Sequence, residues 1–325
     1  MDPIQESNLL RLSIHRIALF GNPERPPSPE VLQLVIQEWQ QLGMEVRAAR
    51  SIPQAEQFHI PVEEDDRELA RWADLVVVLG GDGTMLRVAR EIAGIECYVF
   101  GVNLGTLGFL TACHWKEVSQ IFPLVLEGRV YEDPRWLIEA ELYRAGQAEC
   151  ESRYLALNDF VISRGATPRL VELDVRVDGE LLTRYRGDGL IVSSPTGSTA
   201  YSLAAGGAVV APRAEVFALT PICPHTLSNR SVVISLNSVV EVHLLSERVE
   251  TIFSADGQPG ILLHAQDRVV VRKSRYQFRL IYLKGRTFFG TLREKLHWSG
   301  STLPAHRIPP QQPETKKFGT NAQQM

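Results

Sequence analysis

A single carboxylate, Asp82, lies in the glycine-rich turn Gly80 to Thr84, which follows an apolar run and precedes a helix pattern. The run, residues 75–79, is apolar at every position, which is typical of a strand covered on both faces. Glycines let the backbone approach a ligand, and the helix N-terminus behind them offers free N–H groups that suit a phosphate. A carboxylate there repels a bare phosphate unless it meets a hydroxyl or a metal ion. Asp82 therefore indicates phosphoryl transfer to an alcohol.

Two better-known phosphate-binding signatures are absent from the sequence. The chain has no G-x-x-x-x-G-K-[ST] segment, and the Gly80 to Thr84 turn departs from G-x-G-x-x-G after its second spaced glycine. A plain strand-turn-helix junction therefore stays open as an alternative interpretation of this turn.

A second polar cluster occupies residues 186–207. After an apolar strand over residues 190–192, it supplies hydroxyls and glycine-freed amides that suit a sugar or amide group of a ligand. The ring of Tyr201 could stack on a base. A helix N-cap at Ser198 or Thr199, leading into a helix from Tyr201, is the structural interpretation, and the two are compatible.

These segments together resemble the NAD kinase family, in its ATP- or polyphosphate-dependent bacterial or organellar type. The matching segments are Gly80-Gly81-Asp82-Gly83-Thr84, Asn103-Leu104-Gly105-Thr106-Leu107-Gly108-Phe109-Leu110, Asn158-Asp159, and Gly187-Asp188-Gly189 running into Thr196-Gly197-Ser198-Thr199-Ala200-Tyr201. The resemblance spans residues 15–295. The first loop alone is shared with diacylglycerol and sphingoid-base kinases, whereas the Asn-Asp pair and the Ser-Thr-Ala-Tyr run narrow the resemblance.

The resemblance implies transfer of the terminal phosphoryl group of ATP, or of polyphosphate, to the 2′-hydroxyl of the adenosine ribose of NAD, giving NADP. It makes Asp82 the catalytic general base and places Gly83 against the dinucleotide. Asn158 and Asp159 would hold the ribose and adenine region, and Asp188 would accept a hydrogen bond from the nicotinamide carboxamide. The other implied dinucleotide contacts are Arg169, Arg186, Thr199, Ala200, Tyr201, Ser202, Leu203, Ala204 and Gln258.

Charge on the transferring phosphoryl group must be neutralised. Because no P-loop lysine is present, the obvious agent is Mg²⁺ or another divalent cation carried by the nucleotide, helped by loop amides and by Arg87. An exposed helix position is the alternative interpretation of Arg87. The eight histidines show no H-x-x-x-H spacing, so the sequence predicts no built-in transition-metal site.

Four Asp-Gly pairs occur, and their settings differ. The pairs begin at Asp82, Asp178, Asp188 and Asp256. Asp178-Gly179 follows strict alternation and predicts a β-hairpin turn. Asp256-Gly257 lies between two apolar segments, so a hairpin turn is a better interpretation than a ligand contact.

Composition favours a soluble, cytoplasmic enzyme. The 325 residues are 44% hydrophobic, and 34 basic against 38 acidic residues give a net charge of −4, which offers no general attraction to nucleic acid or anionic membranes. No signal-peptide core and no run of roughly 18 apolar residues occurs. The four cysteines form no C-x-x-C and are predicted to be reduced core thiols; they are Cys97, Cys113, Cys150 and Cys223.

Alternating strand and helix patterns predict an α/β domain over residues 1–128, with a Rossmann-like parallel sheet covered by helices on both faces. The predicted strands are residues 15–21, 45–49, 75–79 and 98–102, and the predicted helices begin at Ser28-Pro29, Arg67 and Met85. In such a sheet the ligand binds at the carboxyl ends of the strands, where the Asp82 and Asn103 loops emerge.

Short alternating strands then predict an antiparallel, mostly β NAD-binding domain over residues 129–282. They cover residues 136–142, 170–177, 231–234, 239–245, 268–271 and 278–282. The resemblance implies an active site between the two domains, a return of residues 283–296 to the first domain, and a homo-oligomer, either a dimer or a tetramer. Residues 301–325 lack periodicity and predict a disordered tail.

Three function classes stay open on the sequence alone. An NAD kinase uses all the segments above. A lipid kinase of the same loop superfamily needs neither the Asn158-Asp159 pair nor the Thr199 to Tyr201 run. A non-catalytic dinucleotide-binding regulator would more naturally have lost Asp82, which is present.

Overall fold

A computed structural model of the chain describes residues 9–10, 12–166, 168–226 and 228–298. The predicted disordered tail, residues 301–325, lies outside the described residues. Six α-helices are present in the described ranges: α1 Pro29–Gln41, α2 Asp66–Trp72, α3 Asp82–Glu91, α4 Val118–Leu126, α5 Tyr201–Ala204 and α6 Phe288–Lys295.

The strands of the same ranges fall into two sequence groups. The first six are β1 Arg16–Phe20, β2 Glu45–Ala49, β3 Val62–Glu63, β4 Leu75–Leu79, β5 Tyr98–Asn103 and β6 Cys113–His114. The later strands are β7 Val130–Tyr143, β8 Ser152–Ala156, β9 Asp159–Arg164, β10 Val171–Val177, β11 Glu180–Gly187, β12 Gly189–Ser193, β13 Val216–Ile222, β14 Val232–Ser235, β15 Val240–Leu244, β16 Thr251–Ala255, β17 Ile261–Leu263 and β18 Arg268–Leu283.

The first group forms the predicted parallel sheet. Strand β1 lies between β2 and β4, and β4 pairs with β5, all in parallel. Every residue of β4 is buried, as the unbroken apolar run predicts. Ser28 caps α1 by accepting a hydrogen bond from the Val31 N–H, and Pro29 occupies its first turn. The predicted α/β domain with a parallel sheet is therefore confirmed.

Most of the second group forms antiparallel sheets. A 6-stranded sheet has the order β14-β13-β12-β9-β16-β17, and its pairings are antiparallel. It shares a hydrophobic core with β10, β15 and the first half of β18. Asp178 and Gly179 have left-handed φ angles of 52° and 84° in the turn between β10 and β11, which confirms the predicted hairpin. The mostly β second domain is confirmed as well.

Strand β18 joins the two parts into one 12-stranded sheet. Nine of its strands follow the order β11-β10-β15-β18-β5-β4-β1-β2-β3, and the other three branch from this path, with β6 paired to β5, β7 to β18 and β8 to β7. Its first half pairs with β15, and its second half pairs in parallel with β5. The sequence predicted two strands here, residues 268–271 and 278–282, and this prediction is wrong. The polar residues between them interrupt the apolar alternation, but the backbone continues along β7 through a register shift between Lys273 and Gln277.

Strand β7 is also longer than predicted, because it begins at Val130 and not at Trp136. The first residues of β7 lack an apolar alternation that would predict a strand, because Asp133 and Arg135 are charged although they are buried. The two side chains form an ion pair at 2.6 Å. A cleft of about 660 Å³ lies beside this strand, and its lining residues, which include Trp136 and Arg213, contain none of the predicted site residues.

The cysteines are free thiols, and three of the four are at least partly buried. Burial raises the pKa of both Cys97 and Cys113 to about 12, which keeps these thiols protonated. Cys223 is exposed, so the prediction of a core thiol is wrong at that position. Among the described residues no helix has both the length and the apolar character to cross a membrane.

The core of the first domain should be sensitive at Phe122, which is fully buried, stacks on Trp39 with ring centroids 4.1 Å apart and meets Phe100 edge-on. We expect Phe122→Ala to lower the free energy of unfolding by about 3 to 5 kcal/mol, because it leaves a cavity between rings. Chemical denaturation would measure this. Phe289→Ala, at a ring that is 59% exposed, is the control and should cost far less; equal losses would contradict the packing described.

Candidate active site

Asp82 is the first residue of α3, with Gly81 as the N-cap. The sequence predicted a helix start at Met85, so the structure moves the carboxylate from the turn into the first helical turn. A negative charge at that end of a helix is stabilised by the helix dipole. Asp82 is half-buried, whereas Gly83 is exposed. A Cβ atom added to Gly81 or Gly83 would meet open space, so packing does not require either glycine, and a ligand can approach the backbone there.

The Asp82 carboxylate is held by the loop after β5. Its two oxygens accept hydrogen bonds from the backbone N–H groups of Phe109, at 2.9 Å, and Leu110, at 3.0 Å. A Cβ atom at Gly108 would lie 2.0 Å from the Asp82 Oδ1 atom, so only glycine allows this approach. Asn103, buried at the end of β5, shapes the start of the same loop by accepting from the Gly105 N–H at 2.6 Å. The predicted meeting of the Asp82 and Asn103 loops is confirmed.

Two residues outside the predicted site support this loop through its backbone carbonyls. The Tyr282 hydroxyl donates to the Phe109 carbonyl at 3.0 Å, and burial raises the pKa of Tyr282, which keeps the hydroxyl a donor. The Arg286 guanidinium donates to the carbonyls of Ala112, at 2.8 Å, and Gly108, at 3.1 Å. Tyr282 lies at the end of β18 and Arg286 just after it, and no spacing in the sequence links either residue to the loop.

The Asn158-Asp159 pair is positioned by Asp256. The Asp256 carboxylate accepts from the backbone N–H groups of Leu157, Asn158 and Asp159 at 2.8 to 3.2 Å. The predicted hairpin turn at Asp256-Gly257 is confirmed, since both residues have positive φ angles between the paired strands β16 and β17. The turn does more than reverse the chain, because its carboxylate organises a predicted ligand-binding segment.

Asp159 itself is 4% exposed. Burial first, and then the charge of Asp256, raise the pKa of the Asp159 carboxyl to about 7. A carboxyl group with such a pKa changes its charge at neutral pH, which is typical of functional sites.

The Ser- and Thr-rich run is folded mainly by its own hydroxyls. Ser194 donates its hydroxyl to the Leu157 carbonyl at 2.6 Å, and its N–H to the Asn158 carbonyl at 2.8 Å. Ser198 donates its hydroxyl to the Pro195 carbonyl at 2.7 Å. A Cβ atom at Gly197 would lie 2.2 Å from the Asn158 carbonyl oxygen, so glycine lets the two loops touch. The Ser194 bonds thus hold the run against the Asn158 segment, and the Ser198 hydroxyl stabilises the run itself.

The short helix α5 follows this run, and it exposes some of the predicted contact residues and buries others. Its N-cap is Ala200, without a side-chain hydrogen bond, so the predicted cap at Ser198 or Thr199 is wrong. Tyr201 is 46% exposed and can stack on a ligand. Ser202 is fully buried, with its hydroxyl 2.9 Å from that of Thr220, which leaves its side chain unable to line the site.

Thr199, Leu203 and Gln258 lie near the surface of the same region. Thr199 and Leu203 are half-buried, and Ala204 is exposed. Gln258 is exposed in the turn that follows Asp256, where its backbone N–H donates to the Ala255 carbonyl.

Three other predicted contacts lie near the ends of strands β9 and β12 that are far from Asp159. They are Arg169, Arg186 and Asp188. Asp159 pairs with Ser193 at one end of this antiparallel pair, and Ser163 pairs with Gly189 at the other. Asp188 accepts from Arg164 at 2.7 Å at that far end, roughly 17 Å from Asp159 at the usual rise per residue. Arg186 pairs with Glu172 at 3.3 Å, and Arg169 is exposed and donates to the Arg248 carbonyl. The structure therefore does not bring these three residues to Asp82.

Arg87 is engaged elsewhere as well. It donates to both carboxylate oxygens of Glu91, at 2.6 and 2.7 Å, and to the carbonyl of Gly21. The side chain is 22% exposed, so it is not the exposed helix residue of the alternative interpretation. A phosphate contact through the Nη1 atom would require that atom to leave Glu91.

Two family models match the chain. The ATP-NAD kinase N-terminal domain matches residues 31–130, and the ATP-NAD kinase C-terminal domain matches residues 157–283. The NAD kinase of Syntrophotalea carbinolica is 37% identical over 287 residues, which cover 87% of this chain and 98% of that protein. The chain belongs to the NAD kinase family. The NAD kinase of Heliobacterium modesticaldum, another relative, is 45% identical over 74% of this chain and 84% of its own length.

Solved structures of the NAD kinase family share the fold. Yeast NADH kinase complexed with NADH matches with a TM-score of 0.80 at 26% identity, covering 90% of this chain and 89% of that chain. An NAD kinase from Archaeoglobus fulgidus in complex with ATP matches with a TM-score of 0.67, also at 26% identity, covering 88% and 100%. The predicted family is thereby confirmed.

The support of the loop after β5, which holds the Asp82 carboxylate, can be tested at Arg286. We expect Arg286→Met to lower kcat between about tenfold and a hundredfold, because the Gly108 and Ala112 carbonyls lose their donors and Asp82 loses its alignment. Steady-state kinetics with NAD and ATP would measure the change. Arg293→Met, at an exposed position in the last turn of α6, is the matched control. An Arg286 variant that folds and keeps full kcat would show that the loop holds its shape without this support.

The raised pKa of Asp159 predicts a pH dependence of NAD binding. Below pH about 7 the folded protein keeps the carboxyl protonated, and above it the ionised group can accept hydrogen bonds from ribose hydroxyls. We therefore expect the KM for NAD to fall as pH rises through about 7, and Asp159→Asn to abolish that change. The measurement is kcat/KM for NAD against pH in both proteins. If Asp159→Asn shows the same change with pH, the change belongs to another group and the prediction is contradicted.

Proposed function

We propose that this protein transfers the terminal phosphoryl group of ATP to the 2′-hydroxyl of the adenosine ribose of NAD, giving NADP. Family membership confirms the enzyme class, a kinase that phosphorylates NAD. One observation carries the assignment of the reacting centre. It is the Asp82 carboxylate, fixed by two loop amides at the start of α3, beside two glycines that leave the backbone open.

In this proposal Asp82 accepts the proton of the ribose hydroxyl. Phosphoryl transfer passes through a loose transition state, so the attacking hydroxyl need not be fully ionised, and an aspartate at hydrogen-bond distance suffices. The amides of Phe109 and Leu110 fix the direction of the carboxylate, which supports a role in alignment as well as proton removal.

The phosphoryl donor would lie against the glycine-rich start of α3. Free backbone N–H groups and the positive end of the helix dipole favour phosphate oxygens there. Mg²⁺ usually takes one or two carboxylates together with substrate phosphates and waters, and Asp82 is a carboxylate suited to an ion carried by ATP. When bound, that ion would neutralise charge on the transferring group. Polyphosphate presents the same chemistry and stays an alternative donor.

The dinucleotide would extend from Asp82 over the second domain. Asn158, Asp159 and the segment 199–204 would bind the adenosine half, with the exposed Tyr201 ring available for stacking. Gln258 would contact the same half. Arg169, Arg186 and Asp188, at the far strand ends, would bind a distant part of the ligand, such as the nicotinamide end.

The lipid-kinase alternative is not favoured, because the relatives match through the second domain as well as the shared loop. A homo-oligomer and a cytoplasmic location complete the proposal. Support comes from the family resemblance for the first, and from the four free cysteine thiols, which are typical of a reducing compartment, for the second.

The role of Asp82 is tested by Asp82→Asn. We expect the fold and NAD binding to persist while turnover falls at least about a hundredfold, the usual contribution of a general base. NADP formation from NAD, Mg²⁺ and ATP would be measured, with polyphosphate, NADH and a diacylglycerol in parallel.

Asp65→Asn is a matched control for this test, because Asp65 caps α2 and likewise accepts two backbone N–H groups, those of Arg67 and Glu68. It should leave turnover unchanged. Full activity in Asp82→Asn would refute the assigned role, and phosphorylated lipid without NADP would refute the proposed function.

A further inference from the structure

A buried ion pair links the catalytic helix to the predicted ribose-binding segment. Arg90, on α3, lies with its Nη1 atom 2.6 Å from Oδ2 of Asp256, and the Asp256 side chain is fully buried. The two residues are 166 positions apart in sequence. A pair so buried is costly to form unless further hydrogen bonds satisfy the charges. Here the further partners are the three backbone N–H groups of residues 157–159.

Helix α3 fixes the position of Arg90 relative to Asp82. Asp82 begins α3 and Arg90 lies in its last turn, eight residues later or about 12 Å along the axis. A hydrogen-bonded helix of this length is stiff, so the Arg90 guanidinium has a set place relative to the Asp82 carboxylate. Asp256 then sets the place of Asn158 and Asp159 relative to Arg90.

Turn formation alone does not account for Asp256. A hairpin turn with a left-handed φ, 49° here, accepts Asn, Asp or Gly and needs no buried carboxylate. Nor can Asp256 touch a substrate, since its side chain is 0% exposed and both oxygens accept hydrogen bonds from protein groups. The Asp256 carboxylate therefore binds the backbone N–H groups of residues 157–159 and not a substrate.

We propose that Arg90 and Asp256 are positioning residues for phosphoryl transfer, which fix the distance between the acceptor-binding pair Asn158-Asp159 and the catalytic Asp82. The inference rests on the proposed function. The ion pair spans the two domains and holds the ribose hydroxyl within reach of the base. Loss of the pair lets the Asn158 segment move relative to α3, and misplacement of a substrate by 1 Å costs about a hundredfold in rate.

The chain offers a matched control in a second ion pair. Arg144 contacts Asp267 at 2.7 Å, the Asp267 side chain is 1% exposed, and its carboxylate accepts the backbone N–H groups of Ala145 and His264. This pair joins the end of β7 to the start of β18. None of its described hydrogen-bond partners is a predicted site residue. Asp267→Asn therefore reproduces the structural damage of Asp256→Asn without touching the Asn158 segment.

The test compares kcat, KM for NAD, KM for ATP and melting temperature for Asp256→Asn, Asp267→Asn, Arg90→Met and Arg90→Lys in the full chain. We expect Asp256→Asn and Arg90→Met to lower kcat/KM for NAD between about tenfold and a hundredfold, with little change in KM for ATP. Arg90→Lys should restore part of the loss, and Asp267→Asn should lower only the melting temperature.

The pH profile adds a readout that general destabilisation does not move. Removal of the Asp256 charge should shift the midpoint of the NAD profile to lower pH, because that charge helps to raise the pKa of Asp159. If Asp256→Asn does not fold, Arg90→Met and Arg90→Lys decide the question, since they leave the Asp256 amide bonds in place.

The possible failures can be told apart. No NADP from the unmodified protein refutes the proposed function. NADP formation by the unmodified protein, together with Asp256→Asn or Arg90→Met variants that keep kcat/KM for NAD within about twofold, refutes the positioning role alone. A loss of kcat/KM for NAD in Asp267→Asn equal to that in Asp256→Asn would also refute it, as an effect of stability only.

Discussion

The pair of hydrogen bonds between the Asp82 carboxylate and the loop after β5 is the interaction on which the site depends. It exists because β4 and β5 are neighbouring parallel strands, so their carboxyl ends meet at one edge of the sheet. The apolar strands that fix this register therefore also fix the position of the Asp82 carboxylate. Gly108 makes the contact possible by leaving room for the carboxylate.

The same type of bond, a carboxylate that accepts backbone N–H groups, occurs again at Asp256 with a different use. Asp82 is half-buried next to an open glycine, whereas the Asp256 side chain is fully enclosed. Exposure thus separates a group that can meet a substrate from a group that organises the backbone. Because α3 carries Asp82 at its start and the Asp256 partner Arg90 near its end, a single helix relates the two segments.

Strand β18 connects the two domains. It runs from the antiparallel part of the 12-stranded sheet into the parallel part, and near its end Tyr282 donates a hydrogen bond to Phe109 in the loop after β5. The two domains therefore share a sheet, and the proposed site lies beside the loops of both. The Arg90 to Asp256 bond is a further contact between the two domains.

The sequence predicted those elements whose pattern is local. The unbroken apolar run of β4, the Ser28-Pro29 start of α1 and the Asp178-Gly179 hairpin each carry their signal within a few residues, and all three are confirmed.

The sequence was less informative about partners that are distant along the chain. Arg87, a predicted phosphate contact, binds Glu91 and Gly21, and the hydroxyl of Ser202, a predicted dinucleotide contact, is buried against that of Thr220. The support from Arg286 could not be predicted, since its loop partners precede it by more than 170 positions.

A crystal structure of the protein bound to NAD would test the central claim most directly. The quantity to measure is the distance from the 2′-oxygen of the adenosine ribose to the nearer Asp82 carboxylate oxygen. The account predicts hydrogen-bond distance, about 2.6 to 3.2 Å, with the ribose also in contact with the Asn158-Asp159 segment. A dinucleotide bound with its adenosine ribose beyond the reach of Asp82, directly or through one water, would contradict it.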